Sequence, residues 1–120
     1  MLKSRIMKDD TPKRKDHNLF VAARDNDIAH LQDALAAGRR LDEVDGFNGF
    51  TPLHVAAYNG SLKFIREALK HRSANVWIRD LEERLPIDHS DARRDIDAAK
   101  LFYQAMYSKG VPLQPPPNPE

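Results

Sequence analysis

Apolar positions in this chain recur at a step of 34 residues, and the recurrence runs through three successive stretches. Leu19, Leu53 and Ile87 stand one step apart, as do Ala22, Ala56 and Ser90, and then Ile28, Leu62 and Ile96. The same step joins Leu31, Ile65 and Ala99, then Ala34, Ala68 and Phe102, then Leu35, Leu69 and Tyr103. A polar column accompanies them: Asp27, Ser61 and Asp95 each precede an apolar position, and each is a residue type that caps helix starts. Core and capping columns in one register predict a single structural unit used three times. Each unit reads as a short helix, a tight turn, a second helix of about three turns, and a loop. The expected chain is all-α, with six helices in three stacked pairs and no sheet. Helix starts are expected near Asp27, Thr51, Ser61, Pro86 and Asp95.

The middle unit holds the most specific string, Thr51-Pro52-Leu53-His54-Val55-Ala56. Thr51 suits an N-cap, because its hydroxyl accepts a first-turn N–H. Pro52 falls at the first helical position, where a missing N–H costs nothing and a fixed φ helps. Leu53 and Ala56 share a buried face, and His54 can bond back towards the Thr51 hydroxyl and the neighbouring loop. The string matches T-P-L-H-x-A, the signature of ankyrin repeats. From Asn18 to Gly110 the chain therefore resembles an ankyrin-repeat protein, with units at about 18–45, 46–79 and 80–110.

Only the middle unit carries the motif in full. The first keeps Leu19, Ala22-Ala23, Leu31, Leu35 and Gly38 but lacks the Thr-Pro start. The third has Leu85-Pro86-Ile87-Asp88 where Thr-Pro-Leu-His would stand, and Glu83 in place of the usual glycine. Terminal units must turn one face to water, so such drift is expected of caps. One extra residue lies near Gly46–Phe47 and another near His71–Ser73. The resemblance implies a solenoid of about three helix-turn-helix units with finger-like loops, near the lower limit for a stable array. Leu53, Leu62, Ile65 and Leu69 are the expected core of its middle unit.

Composition narrows the functional classes. At 120 residues and 41% hydrophobic, one small domain is expected. A formal net charge of +1 gives no reason to expect nucleic acid or an anionic membrane as partner. There is no cysteine, hence no disulfide framework. No apolar run approaches the roughly 20 residues of a membrane span, and residues 1–8 have charge without an apolar signal core. The expected compartment is the cytoplasm.

Two segments flank the units. Residues 1–17 read as a flexible basic leader, or as an arm that touches nucleic acid or an acidic partner through Lys13-Arg14-Lys15. Residues 111–120 form a proline-rich tail, either a spacer or, through Pro112-Leu113-Gln114-Pro115, a recognition peptide.

No constellation in the chain is built for catalysis. His30 and His71 have no His or Cys four residues on, so metal-binding spacings fail. Asp88, Asp91 and Asp95 would share one solvated helix face, beside His89, without the glycine and bidentate glutamate of a calcium loop. There is no phosphate loop, nucleophile elbow or thiol. No catalytic, cofactor-binding or metal residue is assigned, and the expected chain is not an enzyme.

What remains is a binding surface. The resemblance implies contacts at the loop tips and at outward positions of each unit's first helix. These map to Phe47, Asn48 and Phe50 in one finger, Leu81, Glu82 and Arg84 in the next, and Arg24, Asp25, Tyr58 and Asn59 on the helices. Phe47, Phe50 and Tyr58 would form an exposed apolar patch, unless Phe47 and Phe50 fold back as packing under the finger. Trp77 stands where the family has a loop-bonding Asn, and either covers the neighbouring loop or meets a partner. The leading expectation is a protein-interaction module, an adaptor or a stoichiometric inhibitor of one partner protein. The alternatives are an immunity or antitoxin-like protein that blocks an enzyme, and a nucleic-acid accessory using the basic leader.

Overall fold

The computed structural model describes residues 17–107, so the cationic run of the leader and the proline-rich tail lie outside the described residues. Within them the chain forms six helices and no strand. They are α1 (Leu19–Asp25), α2 (Ile28–Ala36), α3 (Pro52–Asn59), α4 (Leu62–Ala68), α5 (Pro86–Arg93) and α6 (Ile96–Tyr107). The inner row is α1, α3 and α5, each packed on the next, and the outer row is α2, α4 and α6.

Helix starts follow local chemistry. The Asn18 side chain accepts the N–H groups of Phe20 (2.8 Å) and Val21 (3.2 Å), which begins α1. Asp27 accepts the His30 N–H at 3.0 Å, and Asp95 accepts that of Ala98 at 3.2 Å. Ser61 departs from its column. It stands at the start of α4, but its side chain makes no capping bond. Its own N–H instead bonds the Ala56 carbonyl at 2.9 Å. Thr51 and His54 form a reciprocal capping box. In the third unit Asp88 supplies half of one, accepting the Leu85 N–H at 2.8 Å.

Between the helices of each unit the chain turns through a left-handed residue. These corners are Asn26 (φ +56°), Gly60 (φ +68°) and Arg94 (φ +61°), one repeat step apart. Asn and Gly suit that conformation, whereas an arginine there carries strain.

The core is the stack of columns, with one column absent from the expected set. His30, Phe64 and Ala98 are all buried, and Phe64 and Phe102 are the largest wholly buried side chains. Leu53 and Ile65 are buried as expected, but Leu62 and Leu69 are only half-buried at its edge. The reason is helix phase: Phe64, Ile65 and Ala68 take the buried side of α4 and leave Leu62 and Leu69 at its margin. Ala22, Ala23, Ala56 and Ala57 are fully buried, and their small side chains let inner helices approach closely.

The fingers are short closed loops. In the first, Asp45 N–H bonds the Phe50 carbonyl at 2.8 Å, enclosing Gly46 to Gly49. In the second, Asp80 N–H bonds the Arg84 carbonyl at 2.9 Å, enclosing one residue fewer. The first finger is thus one residue longer, and the Phe47 ring on it is exposed. Gly49 (φ +77°) and Glu83 (φ +67°) occupy the same left-handed place in the two loops. Only Gly fits the first, because a Cβ there would lie 2.7 Å from the Leu81 backbone nitrogen. That approach allows the Leu81 N–H to bond the Asn48 carbonyl at 3.0 Å, fastening finger to finger.

Candidate protein-binding groove

Four rings from two units meet where α3, α5 and the fingers converge. Phe50 is half-buried and lies against His54, with ring centroids 5.4 Å apart. Its edge meets His89 at 5.0 Å, and Tyr58 lies 6.3 Å away. Tyr58 and His89 are edge-on at 6.1 Å. Neither alternative for the aromatics holds whole: Phe50 is partly packing, whereas Phe47 is 88% exposed and Tyr58 60% exposed.

The His54 ring and the Asp80 carboxylate beneath the rings have every polar atom hydrogen-bonded. The Thr51 N–H donates to His54 Nδ1 at 3.0 Å, so the ring proton sits on Nε2 and donates to the Arg84 carbonyl at 2.9 Å. Burial holds His54 below the ordinary histidine range, against the opposing pull of the Arg84 carbonyl and the Asp80 carboxylate. His89 Nε2 bonds Asp80 Oδ2 at 2.8 Å, with both side chains buried. The other Asp80 oxygen accepts the N–H groups of Glu82 (2.8 Å) and Arg84 (3.0 Å). Burial acts to raise the Asp80 carboxyl, but the Arg84 N–H, the His89 ring and the Glu82 N–H together hold it below the usual carboxylate range. The second finger is thus held at its base by two histidines from two different inner helices.

On this base sit two clefts that share Phe50, Tyr58 and Asn48. One, of about 280 Å³, lies between the fingers, with Phe47, Leu81, Glu82 and Arg84 on its walls. The other, of about 320 Å³, lies between the first two units and is walled by Phe20, Val21, Arg24, Val55 and Asn59. Leu81 is 68% exposed. Arg84 and Glu82 approach to 3.6 Å at the rim, and Arg24 pairs with Asp25 at 2.9 Å. Asn59 turns back to bond the Val55 carbonyl at 2.8 Å.

Ten of the eleven expected contact residues therefore fall on or beside one face. Trp77 does not. Its ring is buried and meets Tyr107 edge-on at 5.8 Å, closing the loop before the second finger against the end of α6. An indole in a loop packs wherever a neighbouring helix offers apolar surface, and here α6 does. The expected acidic face is also corrected. Helix α5 ends at Arg93, so Asp95 belongs to the next helix start, and Asp88 is a cap; only Asp91 points outward from α5.

Sequence reasoning missed His89, Asp80, Phe20, Val21 and Val55. A signal existed for three of them: Val21, Val55 and His89 form one repeat column facing the groove. Among the described residues no group of three or more His, Cys, Asp or Glu is placed to hold a metal ion. No described helix is long and apolar enough to cross a membrane.

Three antiparallel helix pairs stacked in one direction, with fingers fastened in series, define a helical-repeat solenoid. The Ankyrin repeat family model matches residues 48–81, the span from Asn48 in the first finger to Leu81 in the second. The match supports an ankyrin repeat over that span, and the six described helices are consistent with an ankyrin-like helical solenoid. Repeats of this family generally mediate protein–protein interaction.

Proposed function

We propose that this chain is a non-enzymatic, cytoplasmic protein-interaction module, an adaptor or a stoichiometric inhibitor. It seats apolar side chains of a partner protein in the two clefts on either side of Phe50 and Tyr58. The observation that carries this reading is an exposed aromatic ridge over a buried, hydrogen-bonded base. Phe47, Tyr58 and Leu81 stay open to solvent above the packed rings of Phe50, His54 and His89. Exposed aromatics over a fixed base are the usual make-up of binding hot spots, because little freedom is lost on contact. Arg24, Asp25, Asn48, Asn59, Glu82 and Arg84 would form the polar rim.

The test is site-specific photo-crosslinking in the source cell, with the probe at Tyr58 or at Lys63 on the outer helix α4. A single protein adduct is expected from position 58 and none from position 63. Equal labelling from both positions would remove the groove from the reading.

A further inference from the structure

The cleft between the fingers and the proline-rich segment of the sequence have matching chemistry. Residues 111–119 hold five prolines and no charge. Such a segment favours an extended polyproline helix, whose preformed backbone docks on grooves lined by aromatic rings. The cleft offers Phe47, Phe50 and Tyr58. Its charged members are already matched, since His89 bonds Asp80 at 2.8 Å and Arg84 approaches Glu82 to 3.6 Å. A neutral ligand therefore covers no unpaired charge there. The larger cleft on the third unit, about 580 Å³, is lined by Asp91, Arg94, Asp95 and Lys100, with Tyr103 as its one ring. A neutral segment laid on it would cover charges that it cannot pair.

The repeat register is a second observation. Asp45 and Asp80 close the two fingers with their N–H groups, and the same step onward falls on Pro115, which has no N–H. Gly49 and Glu83 take the left-handed place of each finger, and one step onward stands Pro117, whose ring fixes φ at about −65°. The segment thus stands where a third finger would, without either of the features that a finger requires. It also starts beside the second finger. Tyr107, the last residue of α6, packs its ring on Trp77, and Trp77 is three residues before Asp80. The chain from Trp77 to Asp80 spans at most about 11 Å, whereas Pro115, eight residues beyond Tyr107, has a reach of about 25 Å in polyproline geometry.

We propose that residues 112–117 fold back into the cleft between the fingers and occupy it in the free protein, with proline rings against Phe47 and Tyr58. A partner must then displace the segment, and its apparent affinity falls with the fraction of chains in which the cleft is open. That competition rests on the groove reading given under Proposed function; the contact itself does not.

The experiment is paramagnetic broadening of amide signals in the full chain. The chain has no cysteine, so Asn118→Cys gives a single site for a nitroxide. Broadening is expected at Asn48, Tyr58 and Leu81 and not at Ile96 or Tyr103. It should be lost when Pro112, Pro115, Pro116 and Pro117 are all replaced by serine, with the circular dichroism spectrum unchanged. Broadening confined to Ile96 and Tyr103 overturns the proposal, as does broadening of no amide in α3 or the fingers. So does equal broadening in isotope-labelled chains that carry no nitroxide but are mixed with chains that do, because that contact belongs to a second copy. In the crosslinking experiment the serine variant should give at least about threefold more partner adduct from position 58. An unchanged adduct would overturn the competition. No adduct from either form, with the broadening intact, would remove the partner reading and leave the contact standing.

Discussion

The ring of Phe50 lies nearly parallel to that of His54, 18° between planes and 5.4 Å between centroids. His54 is wholly buried, with one nitrogen capping α3 and the other holding the Arg84 carbonyl of the next finger. The exposed aromatic ridge therefore rests on a residue whose polar atoms are all committed to the fold. The proposed binding surface and the repeat-to-repeat joint are the same piece of structure.

Phe50 should consequently behave unlike its neighbours. Phe47→Ala and Tyr58→Ala should each weaken partner binding by about 1–2 kcal/mol and leave the melting temperature unchanged. Phe50→Ala should weaken binding similarly and also lower stability by about 1–2 kcal/mol, because it uncovers His54 and His89. Titration calorimetry against the captured partner and a thermal melt separate the two effects. Equal melting loss in all three variants would mean that the ridge is merely packing.

His54→Ala leaves the buried Thr51 N–H without its acceptor and takes from the Arg84 carbonyl one of its two donors, the Asp80 N–H remaining. A buried donor without an acceptor costs about 1–3 kcal/mol, and the lost hydrogen bond to the Arg84 carbonyl contributes about 1 kcal/mol. The expected loss is about 2–4 kcal/mol, read as a shifted urea midpoint, with Phe64→Ala losing about 3–5 kcal/mol. Leu69→Ala should cost less than Phe64→Ala, about 1–2 kcal/mol, since Leu69 is only half-buried. A Leu69 variant as damaged as the Phe64 variant would contradict this packing.

Stability should fall on mild acidification. The folded chain holds His54 below its ordinary value, so the unfolded chain binds the proton more readily. The contribution is complete above the unfolded value of about 6.5 and is lost as pH drops from there towards the lowered folded value. Asp80, held low in the folded state, adds a second loss only below about pH 4, the ordinary range of a free aspartate. Urea midpoints between pH 8 and pH 5 should decline, with the decline starting near pH 6.5. A midpoint that stays level through that window would mean that His54 is not held below its ordinary value in the folded chain.

Arg94 occupies the left-handed corner filled by Asn26 and Gly60 in the other units. Arg94→Gly should relieve that strain and stabilise the chain by up to about 1 kcal/mol, less what the freer unfolded chain takes back. A melting temperature lowered by the substitution would argue that the arginine side chain has a structural role that outweighs its backbone.

The 34-residue register, the helix starts at Asp27, Thr51, Pro86 and Asp95 and the finger lengthened near Phe47 were legible because each depends on neighbours along the chain. Periodicity tells which side of a helix is apolar, and capping chemistry reaches only three or four residues. Depth was not legible from those same columns. Phe64 is central and Leu69 peripheral because of how α4 is rotated against the inner row, and that rotation is set by packing between units. The groove divides the same way. The repeat resemblance brought Phe47, Phe50, Tyr58, Leu81 and Arg84 to one face, since each unit presents its loop tip alike. Only the tertiary structure put His89 from α5 against Asp80 and under Phe50, and turned Trp77 inward onto Tyr107. Those contacts join residues that local pattern cannot relate: an imidazole and a carboxylate form a buried hydrogen bond, and an indole becomes core, only when another helix arrives to exclude the water.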